Sequence, residues 1–143
     1  MKNEILTPWA PQNSTIISKV LFEKIIYGGE GMTIELREAA GAKRPLSLSF
    51  SELPTAVRVT NESLRLASLP ALSHNANTSF FIVENSRLLE WLNSESLNIY
   101  AKDPLFHLAI ITDEWIDLIC NEQPILAYRT DEVLEEVPGL RDK

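Results

Sequence analysis

At 143 residues, 45% apolar and 23% charged, the chain has the size and composition of one globular domain rather than of a disordered or collagenous protein. No window holds the eighteen or more uninterrupted apolar residues of a membrane helix, because Lys24, Asp117 or a proline breaks each long apolar stretch. The net charge of −7 gathers in the second half: residues 1–83 carry eight Lys/Arg against seven Asp/Glu, residues 84–143 five against thirteen, a balance that repels phosphate backbones and disfavours nucleic acid outside a local basic pair at Lys43 and Arg44.

Residues 1–13 contain Pro8 and Pro11 among polar neighbours and read as an irregular arm, with Trp9 packing back onto the core. The arm has no apolar stretch of signal-peptide length, and a lone cysteine suits a reducing compartment, so the expected location is the cytoplasm. Residues 14–129 are expected to form the globular domain. Thr15 to Tyr27 fits both helical and alternating spacing; its β-branched content and the Gly28-Gly29-Glu30-Gly31 turn favour a strand. Those glycines feed an alternating segment (Met32, Ile34, Leu36) rather than a helix, so they make a hairpin and not a phosphate loop.

Leu46, Leu48 and Phe50 alternate with serines in the next strand, and Ala56 to Thr60 reads as a further short one. Asn61 to Asn77 reads as a long loop with a helical turn near Ser63 to Leu66. Ser79 to Val83 is compact enough for a buried strand, after which the period changes. Ser86 is a natural N-cap, and Leu88, Leu89, Trp91 and Leu92 recur at helical spacing to about Glu95. Phe106 to Thr112 and Trp115 to Cys120 flank Asp113-Glu114 as an antiparallel hairpin, Ile125 to Tyr128 follows Pro124 as an edge strand, and residues 130–143 form an acidic tail. The pattern predicts an α+β fold: a curved, mostly antiparallel sheet of about six to eight strands with one short helix packed on a face.

Catalytic residue types are scarce, with two histidines, His74 and His107, and one cysteine. If Ile111 faces Ile116 across the last hairpin, His107 lies opposite Cys120 on one sheet face, where an imidazole could favour a nucleophilic thiolate. The plainer reading makes His107 a satisfied strand-end residue and Cys120 an inert buried one. The same register sets Trp115 and Asp117 on the other face, where a tryptophan beside a carboxylate could anchor a partner, or simply pack against the protein. Asp113, Glu114 and Asp117 lack the spacing of a calcium loop and read as a solvated turn, so neither a metal nor a cofactor is expected.

The segments Ser79-Phe-Phe-Ile-Val-Glu-Asn-Ser86, Leu89-Glu-Trp-Leu92, His107-Leu-Ala-Ile-Ile-Thr112 and Trp115-Ile-Asp-Leu118 resemble a family of small uncharacterised bacterial proteins over roughly residues 44 to 126. The resemblance implies a bacterial source and a strand, helix, hairpin order, and carries no activity. The leading expectation of function is therefore a noncatalytic, acidic protein-binding module, immunity- or antitoxin-like, that meets a basic partner through Trp91, Trp115, Asp113, Glu114 and Asp117. A small enzyme using His107 with Cys120 or a nearby carboxylate is the alternative. A third is homo-oligomerisation through the edge strand Ile125 to Tyr128.

Overall fold

A computed structural model describes residues 3–10, 17–71 and 77–130. These residues form nine strands in two antiparallel sheets and one α-helix. The strands are β1 (Ile5–Pro8), β2 (Val20–Gly28), β3 (Gly31–Glu38), β4 (Pro45–Phe50), β5 (Ala56–Asn61), β6 (Phe80–Glu84), β7 (Phe106–Ile111), β8 (Glu114–Cys120) and β9 (Ile125–Tyr128). The helix, α1, is Arg87–Glu95. The α+β class and the mainly antiparallel pairing are as the alternation predicts. The strands, however, divide between a five-stranded sheet in the order β1-β6-β7-β8-β5 and a four-stranded sheet in the order β2-β3-β4-β9.

Alternation explains the division. Met32, Ile34 and Leu36 of β3 and Leu46, Leu48 and Phe50 of β4 bury one face of the smaller sheet. They pack with Phe80, Leu108, Ile110, Ile116, Leu118 and Cys120 from the larger sheet in one apolar core. Each such side chain contributes about 1.5–3 kcal/mol on full burial. The outer face of the smaller sheet is wet, where Arg129 bridges Glu23 and Glu35 and Arg37 pairs with Glu23. Gly31 closes the β2–β3 turn at φ 129°, and a Cβ there would meet the Phe50 carbonyl oxygen at 3.0 Å. A bulge at Glu23 interrupts β2, so that Phe22 pairs with Leu36 but Lys24 with Glu35.

The N-terminal segment corrects one expectation. Residues 5–8 are not irregular: β1 pairs with β6 as an edge strand, Leu6 opposite Val83 and Pro8 opposite Phe81. Proline is tolerated there because an edge strand leaves half its amides unpaired. Trp9 continues the strand, donating its backbone N–H to the Phe80 carbonyl, and its ring packs 5.9 Å from that of Phe80. Residues 72–76, which include His74, and the tail 131–143 lie outside the described residues. Among the described residues no helix is long and apolar enough to cross a membrane.

Unlike the smaller sheet, the larger one buries its outer face as well. Leu6, Phe81, Val83, Ala109, Ile111 and Trp115 form a second apolar cluster, with Ala71 packed against it from the 3-10 segment Leu66–Ala71. Arg65, just before that segment, folds its guanidinium over the Trp115 ring. α1 enters from β6 with Ser86 as N-cap, and Leu88 is its one buried residue.

Candidate functional site

The register of the β7–β8 hairpin decides which side chains meet. Ile111 pairs with Trp115, not Ile116, because three residues rather than two close the turn. The Thr112 hydroxyl accepts from the Glu114 amide and donates to the Glu114 carbonyl oxygen, while the Thr112 amide donates to that same oxygen. A one-residue slip sends each side chain of one strand to the other face relative to its partner. His107 therefore lies opposite Ile119, and Cys120 opposite Phe106 on the core side. The expected approach of His107 to Cys120 does not occur. The Cys120 thiol is buried, and burial alone pushes its pKa up to about 12, so it carries no thiolate near neutral pH.

In place of the cysteine, His107 finds a carboxylate. Its Nε2 is 2.7 Å from Asp117 Oδ1 and its Nδ1 is 2.6 Å from Ser86 Oγ. Asp117 Oδ2 accepts from Arg58 Nε at 2.9 Å and from Arg65 Nη1 at 2.7 Å. Burial pushes the Asp117 carboxyl upward, but the His107 hydrogen bond and charge, the Arg65 hydrogen bond and the Arg58 charge outweigh it and hold the group below its ordinary value. An ionised carboxylate only accepts, so these partners assign the proton to His107 Nε2. Nδ1 shares the second hydrogen bond with the Ser86 hydroxyl, its direction set by the state of the ring.

Serine, histidine and aspartate thus stand in the order of a nucleophile relay. Three features fit a structural tie. His107 is 2% exposed, with both ring nitrogens engaged. The Ser86 oxygen caps α1 by accepting from the Leu89 amide at 2.9 Å. The Arg87 amide, which could otherwise face a developing oxyanion, donates to Glu4 Oε2 at 2.8 Å. The tie joins the start of α1 to the middle of the larger sheet.

Burial also separates the expected binding residues. Trp115 and Asp117 are buried, the first beneath Arg65 and the second between His107 and two arginines, so neither is presented to a partner. Asp113 is exposed at the hairpin turn and Glu114 half-buried beside it. Among the described residues no group of acidic, histidine or cysteine side chains is arranged to hold a metal ion.

Trp91 has the opposite environment. It is 57% exposed on α1, and the turns after the helix add Leu97 at 85%, Ile99 at 72% and an exposed Tyr100. Leu97 has φ 56° and Asn98 φ 61°, the left-handed region where glycine or asparagine ordinarily ends a helix. A leucine there bears backbone strain and leaves its side chain in water. Sequence reasoning singled out Trp91 but missed Leu97, Ile99 and Tyr100. The available signal was their place among polar residues, where no strand or helix buries them. Arg58 and Arg65 were missed too, because their common partner Asp117 lies more than fifty residues away.

Compared with family models, with curated proteins and with solved structures, the chain finds no match in any of the three.

Proposed function

We propose that the chain is a noncatalytic protein-binding module whose binding surface is α1 with the turns that follow it, and that it sequesters a basic partner in the manner of an immunity protein. One observation carries this reading: Leu97, fully apolar, is both strained in its backbone and exposed, in a stretch of chain that also exposes Trp91, Ile99 and Tyr100. Such a cluster costs stability and solubility, and those costs are offset when a partner covers it. Aromatic anchors with an aliphatic surround are the usual composition of an interface centre. The acidic second half adds long-range attraction for a cationic partner.

The test places a photo-crosslinking residue at Ile99 in the native host. A single heterologous adduct is expected, lost when Leu97→Gly and Trp91→Ala are combined. Absence of any adduct at Ile99 or Tyr100 refutes the surface.

The contact of Ser86 Oγ with His107 at 2.6 Å favours one second reading, a hydrolase with Ser86 as nucleophile, His107 as base and Asp117 as its orienting group. A fluorophosphonate probe separates the two. Labelling of the native chain that vanishes in both Ser86→Ala and His107→Gln supports the hydrolase, and an unlabelled Ser86 leaves the binding module alone.

A further inference from the structure

We infer that Trp91, with Glu95 one turn later and Glu90 beside it, is the seat for an arginine of the partner, and that Leu97 and Ile99 receive the apolar residues flanking that arginine. The inference rests on reading α1 and its following turns as the binding surface, and it specifies what that surface takes.

The chain builds the same arrangement twice within itself. The Arg65 guanidinium lies 4.4 Å from the centre of the Trp115 ring and 2.7 Å from the Asp117 carboxylate. Arg44 lies 3.9 Å from the centre of the Tyr128 ring and 3.2 Å from Glu38. In each, the ring offers its negative face to a flat, weakly hydrated cation while a carboxylate fixes the cation edgewise. The Glu38 carboxyl, bonded first by the Arg44 backbone amide and then by the Arg44 and Tyr128 side chains, is lowered to about 2.

α1 supplies a third ring and carboxylate without the cation. Trp91 and Glu95 are four residues apart, hence neighbours on one helix face, and both are exposed. Among the described residues no cation lies over Trp91, and neither Glu90 nor Glu95 is in an ion pair. Arg87, one turn before Trp91, instead lines a cavity of about 280 Å³ with Asn3, Glu4, Ser68 and Pro70. In this reading the guanidinium is the partner's. A second copy is a poor source, because two chains of charge −7 repel. A basic partner is a good one. Arginine suits the seat better than lysine, whose strongly hydrated ammonium stacks less well on a ring.

The experiment follows the three tryptophan indole N–H resonances of the ¹⁵N-labelled full chain, with the Trp91 signal assigned by Trp91→Phe. The probes are acetyl-Leu-Arg-Leu-amide and its lysine and citrulline counterparts, citrulline being a neutral near-isostere of arginine. The arginine peptide is expected to move the Trp91 resonance saturably while those of Trp9 and Trp115 stay still. The lysine peptide should bind several-fold more weakly and the citrulline peptide at least tenfold more weakly. Combining Glu90→Gln with Glu95→Gln, in a chain shown by circular dichroism to be folded, should reduce the arginine peptide to the citrulline level. Equal binding of arginine and citrulline overturns the cation seat while leaving an apolar docking surface. No movement with any peptide also overturns the seat, and the Ile99 cross-link then judges the surface separately.

Discussion

The two ends of α1 are built to opposite rules. At its start polar groups are tied to one another: Ser86 takes the Leu89 amide and meets His107, Glu4 takes the Arg87 amide, and His107 passes the chain of hydrogen bonds to Asp117 and two arginines. At its end apolar side chains stand in water on a backbone that favours glycine. One end is stable because it is sealed, and the other is available because it is not. The sealed residues resemble a catalytic site in composition and the open ones do not, so residue type and exposure point to opposite ends. Burial and the engagement of hydrogen-bonding atoms separate the two ends.

The contrast is sharpest if the sealed end is broken. Asp117→Ala strands His107 and Arg65 without their carboxylate and should cost about 3–5 kcal/mol in urea unfolding at neutral pH. The same carboxylate sets an acid limit. Its folded pKa lies below the 3.8 of the free group, so its stabilisation is full above that value and is lost as pH falls through the lower folded one. Unfolding midpoints measured from pH 5 down to pH 2 should therefore drop steeply in the native chain and less in Asp117→Asn. Ser86→Ala removes a cap and the His107 partner together, and should cost about 1–2 kcal/mol with faster hydrogen exchange in the first turn of α1.

The open end should respond with the opposite sign. Leu97→Gly relieves the left-handed leucine and is expected to raise stability by about 0.5–1 kcal/mol while weakening the partner complex; a loss of stability would show that Leu97 is held by packing instead. The smallest effect belongs to Cys120. A thiol reagent at pH 8 should leave it unmodified in the native chain and label it fully in denaturant, consistent with a thiol pushed up to about 12.

Alternation made most strands legible, since Met32 to Leu36 and Leu46 to Phe50 each carry a greasy and a wet side, and Ser86 announced the start of α1 through its capping hydroxyl. The β7–β8 hairpin was legible as a pair but not in register, because Thr112 replaces a backbone partner with its side chain and lengthens the turn by one. That single residue moved His107 from Cys120 to Asp117. Ser86 and His107, 21 residues apart, meet only through the pairing of β6 with β7, and Arg58 and Arg65 reach Asp117 from a strand and loop over fifty residues away. Such contacts are long-range in sequence and have no periodicity of their own. The division into two sheets was hidden for the same reason: the alternating pattern says that a face is covered, not which strands cover it.

The interruption of β2 at Glu23 bears on how the protein behaves when crowded. A straight nine-residue rim with open amides and carbonyls is a template on which further chains can add, growing into fibres. The extra residue kinks that rim, and Lys24, 63% exposed, places a positive charge beside the kink. The β2 rim, the longest edge of the smaller sheet, is therefore a poor template for whatever first sticks to the apolar surface at the end of the helix.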